Sequence, residues 1–467
     1  MGHKDNEGLS ISVRSFVTAI AIIFLLMVAA YLLTFLIPAG SYSRVPDPGG
    51  NLIIDTSTEF TVTDGGIPFW KWLLSPALVL GAQGSGTLIA VIIFLLVIGG
   101  VFNCLERCGL MKYMLHKTVN RFSTVRYRLM AIVTLLFMAM GSLVGSFEEC
   151  VPMVPIIVAL AIDLGWDALT GIGMSLLAAG CGFAAGVCNP FTIGVAQQLA
   201  GLPMFSGAWL RMLSFLLIYL LLYGFLHIHA KKIERPLEKV LSTAAFESDR
   251  KMDKGLISFI LILGAGIVII LCSGFITALQ DYTMIIVAVM FLAAGISSTL
   301  LCGMSGRTLG KAFLDGVKGI FPAVLMILMA SSIRYTLEEA KILDTILHEA
   351  VVLAQQLPGW AVILFIYLIV LIMNFFIPSG SAKAFMLIPL IVPMAQVFGL
   401  SAQLCVVAFA FGDGFSNVFY PTNPALLIAL GLADVSYQDW FRWSAKFQIL
   451  NLILTGMVLI FGLVVGY

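Results

Sequence analysis

The sequence contains very little charge. Of its 467 residues only 11% are Asp, Glu, Lys or Arg, 60% are hydrophobic, mean hydropathy is +1.04, and the net charge is +1. Soluble domains carry about 25% charged residues, so most of this chain is expected to lie in lipid. It has no basic stripe with interleaved aromatic residues, so nucleic acid is not expected as a partner.

Motifs for metal binding, cofactor binding and enzymatic chemistry are also lacking. The eight Cys residues show no CxxC spacing and mostly sit in apolar runs, which favours packing over disulfides or zinc. The nearest approach to a phosphate loop begins at Gly306, but its spacing is wrong and Ala312 follows its lysine. We therefore expect no catalytic residues, no metal site and no cofactor, apart from a coupling ion.

Long apolar runs recur along the chain. A bilayer core is crossed by about 20 helical residues, and these runs are continuous where the strands of a membrane barrel would alternate. Clear examples are Phe16 to Pro38, Leu88 to Phe102, Arg211 to Leu226, Leu256 to Cys272, Tyr282 to Leu300 and Phe447 to Val465. The pattern predicts an all-α polytopic membrane protein with the lipid bilayer as its main partner.

The basic residues predict an orientation. Lys and Arg cluster within 103–128 and 231–254, whereas 40–75 carries four acidic residues against two basic ones. By the positive-inside rule the two basic segments and the N-terminus are cytoplasmic, in the inner membrane of the cell, and segment 40–75 lies outside.

One offset of 234 residues aligns the two halves of the chain without a gap. It matches residues that lipid composition alone would not align: Pro155 with Pro389, Gly165 with Gly399, Gly180 with Gly414, Asn189 with Asn423, Pro190 with Pro424 and Trp209 with Trp443. The charge pattern starts the first repeat outside and the second inside. The repeats are therefore expected to be inverted, a recurring plan of secondary transporters.

The expected organisation has five parts. These are an N-terminal helix with an external loop (1–79), the first repeat (80–231), a cytoplasmic linker (232–254), connecting helices (255–313) and the second repeat (314–467). Each repeat is expected to hold a re-entrant hairpin, at about 129–164 and 361–398, and a broken helix, at 188–192 and 420–424. Non-helical backbone at membrane depth is tolerated where it faces protein or a watery cavity.

Candidate site residues lie at these interruptions. We expect solute binding by Ser146, Glu148 and Glu149 at the first hairpin tip, by Ser379, Ser381 and Lys383 at the second tip, and by Asn189 and Asn423 at the broken helices. Coupling ions are expected at Thr192, Asp413, Asn417 and Thr422. Asn374, just before the second tip, is a weaker candidate. Ionisable residues at membrane depth are costly and mark function by default.

Alternative interpretations remain for each group. Glu149 and Lys383 are separated by the repeat offset, so they are expected to meet across the site, either around a solute or as an ion pair closing empty tips. The alternatives for Asp413 are a helix-end cap or a surface position, and the alternative for each Asn-Pro is a kink that only shapes packing. The acidic excess favours a solute with an amino group, or coupling cations.

Several segments resemble the YfcC-like branch of the C4-dicarboxylate anaerobic carrier (DcuC-type) family, in the ion transporter superfamily. They are residues 182–192, 197–203, 344–346, 378–383, 412–417 and 421–422. The resemblance implies a homodimer of elevator-type protomers, each with a scaffold and a transport domain, coupled to Na⁺ or H⁺ or working as an antiporter, without ATP hydrolysis. It also implies basic amino acid exchange, although these tips lack the Ser-Asn-Thr sequences that bind Na⁺ and carboxylate in better-studied relatives.

The function expected is secondary transport of a basic amino acid of the arginine or ornithine type, by exchange or ion coupling. The alternative is Na⁺- or H⁺-coupled transport of C4-dicarboxylates or other small carboxylates. Two other classes are an integral-membrane enzyme, since paired carboxylates can serve acid–base chemistry, and a channel. Saturation with counterflow would separate a carrier from a channel.

Overall fold

The computed structural model describes residues 13–46, 52–54, 59–82, 85–111, 113–114, 117, 125–145, 147–235, 249–273 and 283–467. In these ranges the chain is mostly helical, and eight helices are long and apolar enough to cross a membrane. Two shorter apolar helices, Ile20–Leu36 and Ala288–Leu301, lie within predicted runs. The expectation of a helical multi-pass membrane protein is confirmed. The first twelve residues and much of the linker, 236–248, lie outside the described ranges.

The helices follow the apolar runs and end at glycine, proline and polar breaks. They are α1 (Val13–Leu36), α2 (Phe69–Leu73), α3 (Ser75–Leu78), α4 (Ser85–Arg107), α5 (Arg126–Val144), α6 (Val154–Asp163), α7 (Ala168–Ile172), α8 (Ala178–Ala185), α9 (Val195–Leu199), α10 (Ala208–Ile233), α11 (Arg250–Ser273), α12 (Thr283–Leu301), α13 (Gly306–Glu339), α14 (Leu343–Ala354), α15 (Gly359–Phe376), α16 (Gly380–Val397), α17 (Ala402–Asn417), α18 (Pro424–Leu432) and α19 (Tyr437–Val464). A π turn, Gly173–Leu177, joins α7 to α8, and another, Pro190–Gly194, leads into α9.

Four short strands follow α1. Strand β1 (Gly40–Ser41) pairs antiparallel with β4 (Thr61–Val62), and β2 (Arg44–Pro46) pairs antiparallel with β3 (Leu52–Ile54). This β segment is bound to α14, because Arg44 forms an ion pair of 2.8 Å with Asp344, and the Gly40 amide donates to the Lys341 carbonyl. Strand β3 also packs against α16.

Helix α17 packs between α8 and α15, and all of its residues except Gln403 are buried. The close approach of α17 to α8 depends on Gly414, because a Cβ atom there would overlap Ala184. Helices α4, α11, α12 and α13 pack together separately, with Asn103 on α4 donating to the Ala312 carbonyl of α13 over 2.6 Å. The buried charged residues Lys383 and Asp413 lie on α16 and α17.

Element boundaries recur at the offset found in the sequence. Adding 234 to the first residues of α7 and of the Pro190–Gly194 turn gives 402 and 424, where α17 and α18 begin. The capping residues recur as well: Asp167 and Ser401 cap α7 and α17, and Asn189 and Asn423 cap the turns after the breaks. The local structure of the two halves therefore corresponds at these two boundaries.

Candidate functional site

Two pairs of helices carry the interruptions predicted as hairpin tips. Helix α5 ends at Gly145, whose φ of 78° lies in the left-handed region that glycine adopts most readily, and a 3-10 turn, Glu148–Met153, leads into α6. Helix α15 ends before Ile377, and α16 begins after Ser379, which accepts from the Ala382 amide. We call residues 145–149 the first tip and residues 377–383 the second tip.

Each tip packs against the broken helix of the other half. The Pro190–Gly194 turn and α9 contact α16 behind the second tip, while α18 contacts α6 and the 3-10 turn of the first tip. Gly380 shows how close this packing is, since a Cβ there would lie 2.6 Å from Asp413 Oδ2 and 2.7 Å from Thr192 Cγ2. Residues from both halves thus converge at one buried polar region.

A buried ion pair lies at the second tip. Lys383 Nζ lies 2.5 Å from Asp413 Oδ1, and both side chains are 0% exposed. The same nitrogen donates to the Ile377 carbonyl over 2.8 Å and to Asn374 Oδ1. The ammonium thus contacts three oxygens, as many as it has N–H donors.

Asn374 links this pair to the second broken helix. Its Nδ2 lies within hydrogen-bonding distance of the Asp413 carbonyl (3.0 Å), Ser416 Oγ (2.6 Å) and Asn417 Oδ1 (2.9 Å). Asn417 Oδ1 also accepts from Asn423 Nδ2 over 3.1 Å. Asn374 is therefore central to the site, and its sequence signal was a single amide in an otherwise apolar helix.

The ion pair predicted as one alternative for Glu149 and Lys383 is absent from the described residues, whereas their meeting around a solute stays a prediction. Lys383 is held by Asp413, and among the described residues no ion pair includes Glu148 or Glu149. Glu149 is 7% exposed with its Oε2 lacking a hydrogen-bond partner, whereas Glu148 is exposed and its charge interacts with that of Asp413. Two carboxylates are thus left at the first tip without a cation.

The remaining predicted residues have different environments. Asn189 Oδ1 accepts from the Phe191 amide and Asn423 Oδ1 from the Ala425 amide, so both oxygens cap helical turns. Asn189 Nδ2 and the hydroxyls of Thr192 and Thr422 are buried without a partner. Ser381 is half-buried. Ser146 lies outside the described residues.

Sequence analysis missed a fully buried arginine. Arg211, near the start of α10, directs its guanidinium to the carbonyls of Val187, Phe205 and Ser206 and to the Tyr467 hydroxyl, over 3.0–3.5 Å. Val187 belongs to the first helix break, so Arg211 holds the backbone of that break. Its partners are almost all backbone atoms, which leave no signal in a sequence.

A multi-pass chain with interrupted helices and charges buried between them has the features of a membrane transport protein, and the comparisons agree. Residues 16–464 match the family described as C4-dicarboxylate anaerobic carrier (DcuC). The chain belongs to that family, which confirms the resemblance noted in the sequence. Both the description of the family and the name of one relative indicate a transporter rather than an enzyme.

Two relatives and two solved structures are similar to this chain. The chain is 28% identical over 405 residues to a protein of Escherichia coli (strain K12) named "Putative basic amino acid antiporter YfcC", covering 82% of this chain and 79% of that protein. It is 24% identical to an uncharacterized protein of Haemophilus influenzae, with 96% of each covered. It is similar, at 16% identity, to the Alcanivorax borkumensis YdaH transporter (TM-score 0.45, 97% and 99% covered) and to Neisseria gonorrhoeae MtrF (TM-score 0.47, 95% and 94% covered).

Proposed function

We propose that this protein is a secondary active transporter that carries a basic amino acid across the inner membrane, by exchange or by ion coupling. The observation that supports a cationic solute is that Glu148 and Glu149, at the first tip, form no ion pair with any described residue. Because Asp413 already pairs with Lys383, these two carboxyl groups have no cationic partner among the described residues and can bind a cationic ligand. The name of the Escherichia coli relative agrees with this proposal.

In this proposal the two tips divide the solute between them. Glu148 and Glu149 bind its ammonium or guanidinium groups, since charge-assisted hydrogen bonds to carboxylates are strong. Its carboxylate meets the first-turn amides of α16 at Gly380 and Ser381, where the helix dipole favours an anion. The Thr192 and Thr422 hydroxyls, which lack partners, complete the site, together with Ser146 and Ser379. Lys383 takes no direct part, because its three donors are used.

The transport mechanism proposed is an elevator with inverted repeats. Three observations support it: element boundaries recur at one offset, and each tip contacts the broken helix of the other half. The distribution of basic residues also starts the first repeat outside and the second inside. Helices α5 with α6 and α15 with α16 would be re-entrant hairpins of the moving domain, and α4 with α11 to α13 its scaffold. A homodimer with cytoplasmic N-termini completes the proposal.

The test is thermal stability of the purified protein with candidate solutes, because a ligand that binds the folded state raises its Tm. Arginine, ornithine and lysine are compared with C4-dicarboxylates and short monocarboxylates, each with Na⁺ or with choline. We expect a rise with basic amino acids only, reduced in Glu149→Gln and unchanged in the surface variant Lys446→Ala.

A second candidate, transport of C4-dicarboxylates, is favoured by the description of the family. It predicts a rise with dicarboxylates, preserved in Glu149→Gln. Counterflow of a labelled basic amino acid in proteoliposomes distinguishes the two, since only a carrier of that solute shows a transient accumulation that saturates. Absence of both the Tm rise and counterflow would contradict the proposal.

A further inference from the structure

We propose that the Lys383 ammonium is a built-in cation, occupying a coordination shell that would otherwise bind a monovalent metal cation such as Na⁺. The second tip would then need no alkali cation to neutralise Asp413. This inference depends on the proposed function only in taking the chain to be a carrier, and its test needs no solute.

The shell around the ammonium consists of oxygen atoms alone. A carboxylate oxygen of Asp413 lies at 2.5 Å, the Ile377 carbonyl at 2.8 Å, and the amide oxygen of Asn374 completes the set. Carboxylate, carbonyl and amide oxygens are the ligands that hard cations take in proteins. Carbonyl oxygens can also replace the hydration shell of an alkali ion. The same three ligands therefore suit an ammonium or a metal ion of single charge.

The orientation of Asn374 is fixed by its other neighbours. Its Nδ2 faces the Asp413 carbonyl, which can only accept a hydrogen bond, as well as Ser416 Oγ and Asn417 Oδ1. The amide nitrogen must point there, so the amide oxygen points at Lys383. The Asp413 backbone, Ser416 and Asn417 therefore direct this oxygen at the cation.

The backbone at the second tip also favours a cation. Ile377 follows the last residue of α15, and the carboxyl end of a helix carries partial negative charge. Pro378 comes next and has no N–H. The Ile377 carbonyl is thus an unpaired helix-end acceptor, which Lys383 reaches from the first turn of α16. Broken helices expose such carbonyls, and in transporters these can coordinate cations.

This shell belongs to the second half alone. The repeat offset places Met140 opposite Asn374, Ala179 opposite Asp413 and Glu149 opposite Lys383. The first half therefore has neither the amide nor the carboxylate of the shell, and it carries an acid where the second half carries the ammonium. The second half pairs its buried acid with a lysine, whereas the acids of the first tip have no cationic partner among the described residues.

The experiment removes the ammonium and asks whether Na⁺ replaces it. The Tm of Lys383→Ala is measured in NaCl and in choline chloride at equal ionic strength. We expect a Tm well below wild type in choline, with a saturable rise of several degrees as Na⁺ is added. Wild type and Lys446→Ala, which changes an exposed lysine, should show no comparable rise.

Two further variants test the shell itself. Lys383→Met fills the space of the lysine stem without charge, so its Tm should not respond to Na⁺. The double variant Lys383→Ala with Asp413→Asn removes the carboxylate and should also lose the response. If Lys383→Ala is too unstable to purify in choline, its survival during extraction from membranes is compared in the two salts.

Equal Tm values of Lys383→Ala in the two salts, or equal loss during extraction in both, would overturn the proposal. A rise of the same size in wild type or in Lys383→Met would do so as well. None of these results depends on the identity of the solute. A failure here therefore leaves the solute panel of wild type to test the proposed function separately.

Discussion

Removal of the Asp413 charge gives the most direct measure of the buried ion pair. In Asp413→Asn the Lys383 ammonium keeps its position at 0% exposure but loses the one anionic partner it has among the described residues. Breaking a buried pair by removing one partner costs about 3–5 kcal/mol, because an uncompensated charge remains buried. We expect the apparent free energy of unfolding to fall by about that amount.

The double variant Lys383→Met with Asp413→Asn removes both charges. Replacement of a whole buried pair by residues of similar volume is often neutral, so this variant should recover to within about 1–2 kcal/mol of wild type. Glu338→Gln is the matched control, since Arg334 and Glu338 form an ion pair of 2.7 Å with side chains 32% and 36% exposed. Exposed pairs contribute about 0–1 kcal/mol.

The assay is thermal and denaturant unfolding of the purified variants in one detergent, followed by size-exclusion chromatography. The reasoning is refuted if Asp413→Asn costs no more than Glu338→Gln. It is also refuted if the double variant is no more stable than Asp413→Asn, because the loss would then come from the carboxylate's other contacts and not from the unpaired ammonium.

Three further predictions follow from the described contacts. Gly380→Ala should destabilise the protein by about 1–3 kcal/mol through overpacking and reduce transport, because the new Cβ would meet Asp413 and Thr192. The control Gly310→Ala, whose Cβ would have nothing within 4 Å, should leave stability and transport unchanged. Arg211→Lys should lower the Tm almost as much as Arg211→Leu, because the three N–H donors of a lysine cannot replace the five of a planar guanidinium. A Tm of Arg211→Lys equal to that of wild type would contradict this. Burial alone raises the pKa of Asp167, but hydrogen bonds from His229 and Thr170 outweigh it and hold the pKa below its usual value of 3.8. The stability that this carboxylate contributes is therefore present above pH 3.8 and is lost as pH falls through the lowered pKa. Between pH 5 and pH 3 the Tm of His229→Ala should therefore fall less than the Tm of wild type. Parallel plots of Tm against pH for the two proteins would contradict this.

The sequence predicted local structure better than the contacts of the buried charges. The breaks at Asn189-Pro190 and Asn423-Pro424 follow from residues that act locally, since an Asn accepts from amides two residues on and a Pro starts the next turn. The lengths of the apolar runs predicted the membrane helices because run length is also a local property of the sequence.

The partner of Lys383 could not be deduced in this way. The repeat offset relates Lys383 to Glu149, but symmetry-related positions need not touch, and its actual partner Asp413 corresponds to an alanine in the first half. Asp413 lies 30 residues along the chain on another helix, so only the packing of α16 on α17 brings the two together. Arg211 was missed because its partners are mainly carbonyls, which every residue has.

The exchange of contacts between the halves has a consequence for biosynthesis. The turn that carries Glu148 packs against α18, which begins at residue 424, 276 residues later in the chain. A ribosome that has inserted α5 and α6 has not yet made the helix that packs against the turn between them. The first half must therefore wait in the membrane with polar groups uncovered, and its final assembly is post-translational. Mutations that slow completion of the second half would expose this intermediate to membrane proteases, even where the finished transporter is stable.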